Sequence, residues 1–168
     1  MSGRAGVQLG SLVFSLAVIA ILLKAQPRPA PHDPQPPDAT ADPVTLAASI
    51  LFHAGQLSSA TAGYSGITPP EVLAWRVIVF SPGADSVFNS LANQASVAGR
   101  LYALAGVKVT DPVAFAKLAL ALQRRGGVVS TMDGCAMTTE RVKDAVAQID
   151  RGDWIRSFLS DSFHLSLE

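Results

Sequence analysis

The sequence predicts a mainly α-helical protein: an N-terminal transmembrane helix, a proline-rich spacer, and a small helical domain. That domain is either a bundle or a short helical-repeat array of about six to seven helices, with one extended segment near 127–132. Three observations lead there. Residues 5–23 carry no charge, seven prolines crowd residues 26–43, and from Asp42 onward helix start and stop signals recur in a consistent order. The expected division is a membrane anchor over 1–24, a linker over 25–43 and a globular domain over 44–168.

The uncharged stretch is nineteen residues long. As a helix it would measure about 29 Å, close to the hydrocarbon thickness of a bilayer. A cleaved signal peptide is the competing reading, with Arg4 as the charged start. Cleavage needs small residues at −3 and −1, and Leu23-Lys24-Ala25 supplies only the second. Retention as a single-pass anchor is therefore the expectation, with export and cleavage as the alternative. Arg4 on one side and Lys24 and Arg28 on the other nearly balance the positive-inside rule. An N-terminal anchor followed by a tethered domain is expected to place that domain outside the cytoplasm.

The prolines at 27, 29, 31, 34, 36, 37 and 43 remove backbone donors and fix φ, which favours extended polyproline II. Such a spacer reaches up to about 50 Å. Pro31-His32-Asp33-Pro34 also has PxxP spacing, although a plain spacer accounts for the composition.

Helix grammar then organises the domain. Asp42-Pro43 places a capping acceptor before a proline at the first helical position, and Leu46, Ala47, Ile50, Leu51 and Ala54 follow at helical spacing. Residues 58–66, small and polar, read as a loop. Thr68 and Glu71 form a capping box, with Ile67 and Val72 as its hydrophobic staple. The helix behind it is apolar on nearly every face through Phe80, which predicts full burial, with a strand over 77–80 as the alternative; Trp75 and Phe80 are expected in the core. Ser81-Pro82-Gly83 breaks the chain before a helix with Phe88, Leu91, Ala92 and Ala95 on one face.

Ser96 caps the next helix, which aligns Val97, Leu101, Leu104 and Ala105 and is expected to stop at Gly106. Asp111-Pro112 starts another, with Phe115, Leu118, Ala119 and Leu122 inward and Arg124-Arg125 at its negative end. Residues 126–137 hold the strand-like content, centred on Val128-Val129. Thr138 or Thr139 is expected to cap a helix burying Val142, Ala145, Val146 and Ile149 and ending at Gly152. A last short helix offers Trp154, Ile155, Phe158 and Leu159. Beyond it, Phe163, Leu165 and Leu167 alternate with polar residues in a tail that either closes over the core or adds to a partner's sheet edge.

Helix starts at 68, 81, 96 and 111 recur so that a helical hairpin repeats roughly every 28–30 residues. Residues 97–122, with Leu101-Tyr102-Ala103-Leu104-Ala105-Gly106 leading to Asp111-Pro112, resemble a short HEAT-like repeat unit. The resemblance is confined to that stretch and does not recur over 81–94. It implies a protein-binding scaffold without catalytic residues.

Charge is balanced, 13 basic residues against 13 acidic, and no basic stripe marks a nucleic-acid surface. Cys135 is the only cysteine, which rules out an intrachain disulfide. As a catalytic thiol it would need a base to form the thiolate, and the domain offers only His53 and His164, both remote in sequence; the plainer expectation is a small buried side chain. No CxxC or HExxH pairing suggests a metal site. Asp150 and Asp153 read as helix-end chemistry, and Gly63-Tyr64-Ser65-Gly66 lacks the GxSxG pattern. No cofactor is expected. The sequence thus points to a membrane-tethered, non-catalytic interaction or structural domain with a protein partner. A tethered enzyme centred on Cys135 is the alternative.

Overall fold

The computed structural model describes residues 42–63 and 67–160. The anchor, the linker up to residue 41, residues 64–66 and the tail with Phe163, His164, Leu165 and Leu167 lie outside them. The last two positions assigned to the linker, Asp42 and Pro43, instead begin the first helix. The described residues belong to one compact unit. They form seven helices and a three-stranded sheet, so the chain is mainly helical there. Among the described residues no helix is long and apolar enough to cross a membrane.

Helix α1 (Pro43–Phe52) starts as its cap predicts: the Asp42 carboxylate accepts from the Thr45 N–H at 3.2 Å, with Pro43 in the first turn. Its end is fixed to a later helix. Ser96 donates its N–H to the Phe52 carbonyl at 3.0 Å and its hydroxyl to the Ala54 carbonyl at 2.6 Å. The same hydroxyl accepts from the Gly99 N–H and so caps helix α4 (Val97–Thr110). The two elements approach so closely that a Cβ on Gly99 would lie 2.1 Å from the Leu51 carbonyl oxygen.

Helix α2 (Pro70–Val79) corrects two expectations. Pro69 is its N-cap, and no side chain caps it, so the Thr68–Glu71 box does not form. Nor is the helix buried all round. Val72, Ala74, Trp75 and Ile78 are buried, whereas Leu73, Val77 and Phe80 are 49%, 41% and 78% exposed. A short helix lying against one layer can bury only a stripe of its surface, and the apolar residues on the far side remain in water. The strand alternative over 77–80 is overturned as well, since α2 runs to Val79.

Helix α3 (Ala84–Gln94) follows a left-handed Gly83 and buries Phe88 and Leu91 against α4. Helix α4 is the hub, buried from Leu101 through Val107. It does not stop at Gly106. A Cβ there would fall 2.4 Å from the Phe88 ring, so this glycine allows α3 and α4 to touch, and the helix continues to Thr110. Asp111 then caps helix α5 (Pro112–Arg125) through the Ala114 N–H, as its Asp-Pro signature predicts.

The extended content exceeds the single expected segment. Strands β2 (Val128–Asp133) and β3 (Ala136–Arg141) form an antiparallel hairpin, with Thr131 opposite Thr138. Thr138 and Thr139 therefore lie in a strand, and helix α6 (Val142–Arg151) begins at Val142 with Arg141 as its N-cap. A short strand β1 (Leu57–Ser58) pairs in parallel with β2, giving the order β1-β2-β3. The stretch expected to be loop thus enters the sheet, and its Ser58, Ser59 and Ala60 are buried. Their small side chains let backbone approach the core, and distant groups satisfy its polar atoms. The Ser58 N–H donates to Tyr102 Oη at 2.8 Å, the Ser59 N–H to the Met132 carbonyl at 2.8 Å, and the Ala60 N–H to Ser157 Oγ at 3.1 Å.

Helix α7 (Asp153–Leu159) closes the fold and brings the aromatic residues together. Phe158 lies 5.2 Å from both Trp75 and Tyr102 between ring centroids and 6.0 Å from Trp154. The Trp75 indole N–H donates to the Tyr102 carbonyl at 3.1 Å.

Candidate functional site

The thiol reading is tested first by position. Cys135 sits in the two-residue turn between β2 and β3 and is exposed, so the expected burial is overturned. A tight hairpin turn holds its side chain away from the helical core. His53 is the C-cap of α1, exposed, with its ring edge-on to Phe52 at 4.9 Å. It lines a recess of about 410 Å³ with Ser49, Phe52, Ser86 and Ser90, to which Cys135 does not contribute. His164 lies outside the described residues. Among these, no three His, Cys, Asp or Glu side chains gather as a metal site.

The acidic residues near the end of α6 are engaged in ion pairs. Asp150 pairs with Lys108 at 2.6 Å, and Lys108 also lies 4.5 Å over the Phe115 ring, which joins α6 to α4 and α5. Asp153 pairs with Arg151 at 3.0 Å and Arg156 at 2.7 Å. Their helix-end reading holds. A small polar recess of about 90 Å³ lies beside Asp153, lined also by Ser59, Asp133, Gln148, Trp154 and Ser157.

Among the described residues, two groups have displaced pKa values. Burial pushes the Tyr102 phenol up, which the Ser58 N–H bond opposes and the Glu71 charge reinforces. Burial also raises the Glu140 carboxyl, against a hydrogen bond from Gln148 and with a contribution from the Asp144 charge. Tyr102 is wholly enclosed and bonded to backbone, so its shift reflects a structural role.

The feature least accounted for by folding lies between α1 and α2. A groove of about 260 Å³ is lined by Pro43, Leu46, Ile50, Pro70, Leu73 and Val77, together with the buried Ala47 and Ala74. Leu46 is 57% exposed at its rim. On α2 the groove residues 70, 73, 74 and 77 follow helical periodicity and form one stripe beside the core-facing one. The groove is thus apolar along its whole lining. Sequence reasoning missed the groove because it read the apolar surplus of α2 as burial. The signal was present: a ten-residue helix with more apolar faces than one layer of neighbours can cover.

No family model, curated protein or solved structure matches the chain.

Proposed function

We propose that the chain is a membrane-tethered, non-catalytic interaction domain that holds a protein partner in the α1–α2 groove. In this reading residues 5–23 anchor it as a single-pass segment and the proline-rich linker displays it on the extracytoplasmic side. The observation that carries the proposal is the groove itself, where Leu46, Leu73 and Val77 hold apolar surface in water beside a core that has no further use for it. Desolvating such surface supplies roughly 25 cal/mol per Å², so a partner offering a few apolar side chains gains affinity there. The HEAT-like resemblance over 97–122, which implies a protein-binding scaffold, supports the same reading.

The second reading, an enzyme centred on Cys135, is favoured by one observation: the thiol is exposed. Affinity capture separates the two. Full-length chain in detergent is compared with a Leu46→Asp/Leu73→Asp variant and with Cys135→Ser. A partner held by the parent and by Cys135→Ser but lost from the groove variant supports the proposal. A partner held equally by all three removes the groove from the account, and loss in Cys135→Ser alone transfers the function to the thiol.

A further inference from the structure

Elements distant in sequence meet at the small polar recess beside Asp153. Ser59 comes from just beyond β1, Asp133 from the end of β2, Gln148 from α6, and Asp153, Trp154 and Ser157 from α7. Asp133 is exposed, whereas Ser59 and Trp154 are buried, so the recess leads from solvent to enclosed walls.

One buried group on those walls serves nothing in the fold. Trp154 is only 6% exposed, and its indole N–H is buried without an acceptor among the described residues. Folded proteins leave few buried donors unpaired, because each one costs free energy. Two hydroxyls add donors beside it. Ser59 Oγ accepts from the Gly134 N–H at 3.2 Å and Ser157 Oγ from the Ala60 N–H at 3.1 Å, which leaves each O–H to donate. Acceptors stand among these donors. Gln148 gives Nε2 to Glu140 at 2.7 Å and keeps its own carbonyl oxygen. Asp153 is shared between Arg151 and Arg156, whereas the ion pairs of the described residues leave Asp133 unpaired.

This mixture selects a class of ligand. An anion would meet the unpaired Asp133 carboxylate. A metal ion would find two carboxylates, one already taken by arginines, set among N–H and O–H donors. An apolar group would leave every polar wall unsatisfied. A neutral hydroxyl both accepts and donates, which matches donors and acceptors placed side by side. The volume of about 90 Å³ equals that of roughly three waters, room for a few adjacent hydroxyls.

We propose that this recess binds a small neutral polyol, one hydroxyl accepting from the Trp154 indole N–H and another donating to the Asp133 carboxylate. Such a ligand repeats the hydrogen bonds of water while replacing several molecules with one. The site shares no lining residue with the α1–α2 groove, so it stands or falls independently of the partner proposed there.

The indole signals of the full chain, read by ¹⁵N–¹H NMR in a detergent without hydroxyl groups, test the site with glycerol as probe. The chain has two tryptophans, and Trp154→Phe identifies which signal belongs to Trp154. Trp75 is the internal control, because its N–H already donates to the Tyr102 carbonyl. Glycerol is expected to move the Trp154 signal saturably and leave the Trp75 signal in place. In Asp133→Ala, which removes an exposed side chain, half-saturation should need roughly tenfold more glycerol, the loss of one hydrogen bond to a charged group. No shift, a shift of both signals in proportion to glycerol, or an unchanged midpoint in Asp133→Ala overturns the proposal. Acetamide and calcium chloride form the remaining arms, and a saturable response to either as strong as that to glycerol overturns the polyol assignment.

Discussion

The two sides of α2 are built from the same kinds of residue and do opposite things. Val72, Trp75 and Ile78 are wholly enclosed, and Trp75 is additionally fixed by its bond to the Tyr102 carbonyl. Leu73, Val77 and Phe80, equally apolar, remain in water. Hydrophobicity along the helix does not distinguish the two faces; the neighbours do. Where α4 and α7 supply aromatic partners and backbone acceptors, apolar residues become core, and where α1 alone approaches, they become a groove. Substitutions on the enclosed side should therefore be read in stability, and those on the open side in binding.

The largest effect is expected from Trp75→Ala. It empties the centre of the aromatic cluster and leaves the Tyr102 carbonyl without its indole donor, a loss of about 3–5 kcal/mol, measurable by chemical denaturation. A loss below about 1 kcal/mol would mean that the enclosed side is not the core.

Tyr102→Phe comes next. The Ser58 N–H would stay buried without its 2.8 Å acceptor, at a cost of about 1–3 kcal/mol. The pH dependence has a definite sign. Burial raises the phenol, so the folded chain keeps its proton where an unfolded tyrosine loses it, near pH 10. Stability of the parent should fall as pH rises above about 10, and that portion of the curve should flatten in Tyr102→Phe. An unchanged alkaline slope would contradict the enclosed environment assigned to Tyr102.

Away from α2, on β3, Glu140 has its Oε1 buried without a hydrogen-bond partner, while Oε2 accepts from Gln148 at 2.7 Å. Because burial raises its pKa, the charged form costs stability in the fold. That cost is absent below the unfolded value of about 4.3 and develops as pH rises through the folded value. Glu140→Gln should thus be slightly more stable at pH 7, by about 0.5 kcal/mol or less, with the advantage gone near pH 4. Thermal melts at the two pH values check the crossover, and a variant less stable at pH 7 would reverse the assignment.

The smallest stability effect is expected on the open side. Leu73→Asp should change unfolding free energy by less than about 0.5 kcal/mol while lowering partner binding. A cost near that of Trp75→Ala would show that the two faces do not differ as described.

Local rules written in the sequence were legible wherever a side chain acts on its own backbone. Asp42, Ser96 and Asp111 cap the helices that follow them, each accepting from an N–H three residues on. The inward stripe Val142, Ala145, Val146 and Ile149 is buried as spaced. Legibility ended where the partner is distant. Gly106 has the form of a helix stop, yet it serves as a close-packing position because Phe88 lies against it. Thr138 and Thr139 have the chemistry of helix caps, yet they pair with β2 because Gly134 turns the chain into a hairpin through a φ of +54°. Ser58 reads as loop, yet it is buried because it pairs beside Met132 of β2 and its N–H finds an acceptor in the hydroxyl of Tyr102, 44 positions away.

The candidate site divides in the same way. Sequence alone determined that α2 is apolar on nearly every side, because composition and period are local properties. Only the tertiary structure decided which side of α2 becomes core and which becomes groove, and that Arg76 holds the end of α7 against α2. The physical reason is that burial is a property of what packs against a residue, and sequence neighbours do not fix those contacts.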